Sequence, residues 1–255
     1  MSKTPTASED KPQYPMRINK YLAEKGYSTR RGADELIEKN RVFINGKLAR
    51  LGDKILQKDI VEVRLGKKNS EKKFEYFAYN KPRSVATHAS TDDETDIQMS
   101  LPKEAESLGL FPVGRLDKAS HGLIILTNDG RITDRLLNPD KEHDKEYVVR
   151  TKLPLRDSFK KHMEAGVDIE GYTTKPAKVA VRGENVFAIT LTEGKKHQIR
   201  RMVVAMHNEV ADLSRTRVLN IRLGTLKSGE LRAIEGEELQ KFLEKLGLAG
   251  SSSSK

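Results

Sequence analysis

One carboxylate stands out as a candidate for chemistry. Asp117 lies between Gly114 and Gly122 in the run Gly114-Arg115-Leu116-Asp117-Lys118-Ala119-Ser120-His121-Gly122, directly ahead of the apolar stretch Leu123 to Leu126. That stretch reads as a short buried strand closed by a Thr127-Asn128-Asp129-Gly130 turn. A loop carboxylate held by a rigid strand is a common place for a functional side chain. The plain alternative is a turn aspartate bonded to its own backbone. Two other pieces carry chemistry: Tyr147, a strand aromatic beside Lys145 and Glu146, and the basic pair Arg200 and Arg201 at a helix start. Tyr147 equally fits a half-buried strand residue, and the arginines equally fit a solvated face or a phosphate contact. Periodicity alone does not bring the three together. A metal-dependent nuclease would need clustered carboxylates, and Asp117 is isolated. Asp92, Asp93, Glu94 and Asp96 read as a solvated acidic loop. The chain has no cysteine and its six histidines lack ligand spacing, so no metal site is expected and thiolate chemistry is excluded.

The elements that must position these residues form two groups. Ile18, Tyr21 and Leu22 fall at helical spacing from a start near Met16, and Gly26 reads as a stop. Ser28 or Thr29 caps a second helix with Ala33, Leu36 and Ile37 on its apolar face. Val42-Phe43-Ile44, Asn45-Gly46 and Lys47-Leu48-Ala49 read as a hairpin on a type I′ turn, and Ile60 to Val63 as a further strand. After a basic, glycine-containing stretch, Phe74 to Tyr79 reads as a strand ended by Pro82. Residues 87 to 107 read as a loop with a short helix. Arg131 to Leu137 and the segment after Pro154, with Leu155, Phe159 and Met163, read as helices. Ala177 to Val181 and Asn185 to Leu191 read as strands, with Phe187, Ile189 and Leu191 on one face. Ile199, Met202, Val203 and Met206 make a helix stripe, and Leu239, Phe242, Leu243 and Leu246 another. Val210 to Leu213, Val218 to Ile221 and Leu231 to Ile234 read as three short strands. Many strands without regular βαβ alternation predict an α+β fold with a largely antiparallel sheet.

The chain has 255 residues and a formal net charge of +10. That excess of cations attracts polyanions, with nucleic acid the first candidate and an anionic membrane surface the rival. No stretch approaches the roughly 20 apolar residues of a spanning helix, and the polar first residues lack a signal-peptide pattern. A cytoplasmic protein without membrane partners is expected, monomeric by default.

Four stretches resemble one family. The Gly114-Arg115-Leu116-Asp117 run, Lys145-Glu146-Tyr147-Val148 and the Gly194-Lys195-Lys196-His197-Gln198-Ile199-Arg200-Arg201-Met202 block resemble the motifs of pseudouridine synthases in the branch of RsuA, RluB and RluF. The first 50 or so ordered residues resemble an S4 RNA-binding domain through Arg17-Ile18-Asn19-Lys20-Tyr21-Leu22 and Val42-Phe43-Ile44-Asn45-Gly46. Ser120 to Ile124 and Arg215 to Asn220 look most like RluF members.

Composition predicts a disordered start (1–15), a flexible linker (66–73) and a disordered tail (248–255), and the resemblance implies an S4 domain (16–65) and a catalytic domain on a mixed, largely antiparallel sheet (74–247). It implies that Asp117 is the catalytic aspartate, that Tyr147 stacks on the target base, that Arg200 pairs with the aspartate and that Ile199 lines the uracil pocket. Arg115 and Lys81, the latter in Asn80-Lys81-Pro82, would support the active-site loop. Arg17, Lys20, Arg30 and Arg31 would face RNA, with phosphate contacts supplying affinity rather than sequence reading.

The implied reaction breaks the N1–C1′ bond of a uridine, turns the uracil and rejoins it through C5, so no cofactor is needed. The aspartate attacks C1′ or promotes loss of uracil through a glycal, and no residue is assigned to remove the C5 proton. Large-subunit ribosomal RNA is the expected substrate, with tRNA or small-subunit RNA as alternatives. A non-catalytic S4-type RNA-binding or ribosome-assembly protein is the competing reading. Arg83 and Ser84 depart from the Val-Gly expected after Asn-Lys-Pro, which would alter loop shape or RNA contact.

Overall fold

Alternating apolar residues and a few glycine-dependent turns build this molecule. The computed structural model describes residues 14–25, 27, 30–64, 74–88, 95–102, 105 and 107–248. The expected disordered start up to residue 13, the Gly26 stop, the Ser28 or Thr29 cap, the linker 66–73, Asp92-Asp93-Glu94 and the tail beyond Leu248 lie outside the described residues. The chain divides into two units, Met1–Lys73 with Asp129–Arg131, and Phe74–Asn128 with Ile132–Lys255.

In the first unit, β1 (Met16–Arg17) leads into α1 (Ile18–Glu24), followed by α2 (Arg30–Glu38). The strands β2 (Val42–Ile44), β3 (Lys47–Leu48), β4 (Lys54–Ile55) and β5 (Val61–Val63) complete it. Ile18 and Leu22 meet Ala33 and Ile37 over Val42 and Ile55, all buried. Asn45 and Gly46 both have positive φ, 50° and 77°, as a type I′ turn requires. They set the register Ile44↔Lys47 between β2 and β3, and β5 pairs on the other side of β2.

The second unit carries β6 (Tyr76–Lys81), α3 (Ile97–Ser100), β7 (Phe111–Val113), β8 (His121–Thr127), α4 (Arg131–Leu137), β9 (Lys145–Thr151) and α5 (Phe159–Ala165). It continues through β10 (Lys178–Gly183), β11 (Val186–Leu191), α6 (Gln198–Ala205), β12 (Val210–Val218), β13 (Ile221–Arg222), β14 (Leu231–Ala233) and α7 (Gly236–Lys245). Among the described residues these strands form one sheet in the order β10-β11-β9-β12-β8-β6-β14, with β7 on β8 and β13 on β12. Its pairings are antiparallel except for β12 on β8. The fold is therefore α+β with a mixed, largely antiparallel sheet.

The two faces of the sheet are separate cores. On one face, Tyr76, Ala78, Leu123 and Ile125 pack with Ile132 and Leu136 of α4, with Phe242 of α7 and with Leu246 just after it. On the other face lie two clusters. Tyr79, Ile124 and Leu126 pack with Ile97 and Leu101. Phe187, Ile189, Leu191 and Leu213 pack with Phe159 and Met163 of α5 and with Ile199, Met202 and Val203 of α6. Phe187, Ile189 and Leu191 thus share a face, as alternation requires.

Two readings change. Leu155 precedes α5, which starts at Phe159. Val210 to Val218 is one continuous strand, not two pieces parted at residue 213. Its middle, Ser214 to Arg217, is polar and does not look like a strand, yet it pairs with β9 along its length. The turn that ends it is Leu219-Asn220, with Leu219 at φ 52°.

The contact between β8 and β12 depends on Gly122. Its φ is +103°, and an added Cβ would lie 2.4 Å from the carbonyl oxygen and 2.8 Å from the nitrogen of Arg215. Backbone, not a flexible side chain, fills that space. Gly122→Ala is therefore expected to destabilise the chain by about 3 kcal/mol, at the upper end for overpacking. Urea denaturation checks this against Gly183→Ala, whose Cβ would meet nothing closer than 3.9 Å.

Candidate active site

One row of the sheet collects the polar residues. Lys81 on β6 is paired with Gly122 on β8, Gly122 with Arg215 on β12, Arg215 with Tyr147 on β9, and Tyr147 with Ile189 on β11. Residues in register across a sheet project to the same side. The row therefore lies on the face that holds the two separate clusters, and its glycine leaves a position without a side chain between two cations.

Arg215 is 4% exposed. A buried guanidinium must find acceptors. Its Nε donates to the carbonyl of Leu123 at 2.7 Å and its Nη1 to the carbonyl of Arg115 at 3.3 Å. One buried side chain thus holds the segment carrying Asp117 from both ends. Thr87 holds the residue before the aspartate, because its Oγ1 accepts from the Leu116 N–H at 3.0 Å and donates to the Leu116 carbonyl at 2.8 Å. The Ser120 N–H donates to the Asp117 carbonyl at 2.9 Å, closing a turn. The Ser84 N–H donates to the Lys118 carbonyl at 2.9 Å. Arg200 Nη2 donates to Ser120 Oγ at 3.1 Å. His121 Nε2 lies 2.9 Å from Asp212 Oδ1, which also takes Nη2 of Arg83.

Backbone and side-chain bonds thus hold the loop on both sides of Asp117. The Asp117 side chain is 38% exposed, and its Oδ1 lies 3.8 Å from Nε2 of His197. The resemblance implies that Arg200 pairs with this aspartate; in the structure its guanidinium donates to Ser120, three residues later in the same loop. Among the described residues the basic side chain nearest the Asp117 carboxylate within ion-pair distance is His197, at 3.8 Å.

Lys81 lies beneath the loop. It is fully buried, and its Nζ donates to the carbonyls of Pro82 at 2.8 Å and Val85 at 2.6 Å. Burial pulls its pKa down from 10.5 to about 8. The negative charge of Asp117 opposes that fall and the positive charge of Arg215 adds to it. Lys81 therefore senses Asp117 electrostatically while fixing the turn that Ser84 ties to Lys118. Tyr147 packs against the cluster containing Ile199, which is 5% exposed. Arg115 contributes its backbone carbonyl to the loop, and its side chain is exposed.

The start of α6 is also built from buried polar groups. Glu193 accepts from the Tyr172 hydroxyl at 2.6 Å, the Lys175 N–H at 3.0 Å and Gln198 Nε2 at 2.7 Å. Gln198 Oε1 accepts from the Lys195 N–H at 2.9 Å. His197, between them in sequence, has φ 51°.

Of the residues predicted to face RNA, Arg17 is exposed and Lys20 half-buried. Arg30 and Arg31 open α2, and their side chains lie outside the described part of the structure. Sequence reasoning passed over Thr87, His197, Asp212 and the structural use of Arg215. His197 and Arg215 sat in recognised stretches, whereas Thr87 and Asp212 carried no local signal of their function.

The lowered pKa of Lys81 has a consequence for stability. Between about pH 8 and pH 10.5 the unfolded chain holds this proton and the folded chain does not, so this group's contribution to stability rises with pH across that window. Lys81→Met removes the term. Urea denaturation of both proteins should show a smaller rise, or a steeper fall, with pH for the variant than for wild type.

The family profile for RNA pseudouridylate synthases matches residues 75–205, and that for the S4 domain matches residues 16–61. The dual-specificity RNA pseudouridine synthase RluF of Salmonella typhi is 40% identical over 225 residues, covering 88% of this chain and 77% of that protein. Ribosomal large subunit pseudouridine synthase B of Bacillus subtilis is 33% identical over 238 residues, covering 89% and 95%. A crystal structure of a pseudouridylate synthase matches with a TM-score of 0.65 at 30% identity, covering 91% of this chain and 99% of that one. The chain belongs to the RNA pseudouridine synthases, in the RsuA, RluB and RluF type that sets an S4 domain before the catalytic fold, and is an isomerase.

Proposed function

We propose that this enzyme isomerises a uridine of large-subunit ribosomal RNA, with Asp117 as the catalytic aspartate. The observation that carries this reading is the loop itself: its backbone and neighbouring side chains are bonded in place, and the carboxylate of Asp117 is presented partly exposed beside His197. Relatives named for the large ribosomal subunit and for RluF support the substrate class. The dual specificity in the name of the RluF relatives is in keeping with a second RNA substrate, for which tRNA is our choice.

The residues fit the reaction as follows. An ionised Asp117 attacks C1′ or promotes departure of uracil. Tyr147 replaces the stacking that the uridine gives up on leaving its helix, an interaction worth about 1 to 3 kcal/mol per base. Ile199 supplies an apolar wall for the ring. Arg200 acts through Ser120 to hold the loop, and Lys81 supplies positive charge beneath the carboxylate. Fixed charges of this kind aid catalysis because they need no reorganisation during the reaction. The S4 unit supplies phosphate contacts through Arg17, Lys20, Arg30 and Arg31. No helix among the described residues is long and apolar enough to cross a membrane, and we take the enzyme to act as a monomer in the cytoplasm.

The direct test is tritium release from RNA labelled at uridine C5, with total RNA from cells lacking this protein as substrate. Wild type should release tritium and Asp117→Asn should not. Release by the variant at the wild-type rate would remove Asp117 from the reaction. Arg17→Ala combined with Lys20→Ala should raise KM for RNA. It should also flatten the dependence of binding on salt by roughly 0.7 to 0.9 in log–log slope for each phosphate that is no longer neutralised. A filter-binding series across salt concentrations measures that slope.

A further inference from the structure

Asp117 is held through its neighbours, and both neighbours are held by one segment. Thr87 bonds Leu116 on one side of the aspartate, and the Ser84 N–H donates to the Lys118 carbonyl on the other. The stretch from Arg83 to Thr87 therefore grips the loop at the residues that flank the carboxylate. Asp117 is placed only as well as that stretch is placed. Lys81 fixes its beginning through the carbonyls of Pro82 and Val85. A second anchor comes from β12, where Oδ1 of Asp212 takes Nη2 of Arg83, 129 positions earlier in the chain.

The same oxygen lies 2.9 Å from Nε2 of His121, at the end of the Asp117 loop. One carboxylate thus ties the gripping segment and the gripped loop to each other. The side chains are 24% exposed for Asp212, 27% for His121 and 49% for Arg83. A carboxylate withdrawn from water to that degree needs hydrogen-bond partners, and these two donors supply them. An isolated surface ion pair contributes little. This one is partly buried, shared, and joins two loops.

The backbone is shaped around the contact on both sides. Val210 pairs with Thr151 and Asp212 with Arg150, so Ala211 is an extra residue on β12. A bulge of this kind re-aims the side chains beside it, and bulges are frequent next to active sites. Ser84, directly after Arg83, has φ 64°, a conformation uncommon outside glycine.

We propose that Asp212 is a positioning residue for the isomerisation, acting through Arg83 and His121 to align the segment 83–87 with the loop that carries Asp117. The inference rests on Asp117 being the catalytic aspartate. Arg83, which stands where the resemblance predicts valine, serves the loop and not the RNA. A displacement of about 1 Å at a reacting group costs on the order of 100-fold in rate. Losing one of several anchors costs less than that.

Single-turnover tritium release from C5-labelled RNA, at a series of enzyme concentrations, separates the maximal rate from affinity. Asp212→Ala should lower the maximal rate about 10-fold, through misplacement and not through lost binding, and leave the half-saturating concentration near the wild-type value. Arg83→Met should act in the same direction. Adding it to Asp212→Ala should cost little more, because both remove one link. Asp212→Asn keeps the size and one acceptor oxygen and should fall between wild type and Asp212→Ala. Urea denaturation of each variant fixes a temperature at which all are folded. Should Asp212→Ala fail to fold, Asp212→Asn and Arg83→Met make the same comparison. A wild-type maximal rate in the folded residue-212 variants overturns the proposal. So does weaker RNA binding at an unchanged rate, or losses from Arg83→Met and Asp212→Ala that multiply while Arg83→Met flattens the salt dependence of binding; Arg83 would then be a phosphate contact. Wild-type release by Asp117→Asn would instead remove the role of Asp117, a separate failure read from that variant alone.

Discussion

The approach of β8 to β12 at Gly122 is the constraint on which the site depends. Two strands that meet in parallel for two register pairs, Ser214↔His121 and Arg215↔Gly122, interrupt an otherwise antiparallel sheet. They come so close that no side chain fits at residue 122. This contact places Arg215 inside the protein, where a charge without partners would be strongly unfavourable. The carbonyls of Arg115 and Leu123 are the acceptors it finds. The requirement to satisfy one buried cation is thereby converted into a fixed position for the segment that carries Asp117.

The remaining contacts extend that arrangement. Thr87 holds Leu116, Ser84 holds Lys118, Arg200 holds Ser120 and Asp212 holds His121. They come from β6's following loop, from α6 and from β12, so three separated parts of the chain converge on seven loop residues. The sheet row beneath adds Lys81 and Arg215 as positive charges on either side of a position with no side chain. Fixing charge and geometry before substrate arrives is the physical content of preorganisation. The S4 unit needs no such rigidity for its task, since phosphate attraction is tolerant of position.

Much of this was legible in the sequence because it follows from periodicity and turn chemistry. Asn45-Gly46 specified a type I′ hairpin, the run Leu123 to Leu126 specified a buried strand, and the stripe Ile199, Met202, Val203 specified the packed side of α6. The motifs pointed to Asp117, Tyr147 and Arg200. What could not be read was the direction of side chains across the fold. Arg200 reaches Ser120, and His197, whose φ is left-handed, lies 3.8 Å from Asp117. The strand containing Arg215 was split because a charged residue in a strand looks like a break until its acceptors, about 90 and 100 positions earlier in the chain, are known.

The most direct measurement is a crystal structure of the Asp117→Asn variant bound to an RNA stem-loop carrying the target uridine. The expected result places that uridine out of the RNA stack. Its uracil should lie against Tyr147 and Ile199, with its C1′ beside the side chain at position 117. A target uridine still stacked within the RNA, or held on a surface away from the 115–121 loop, would contradict the placement of chemistry at this site.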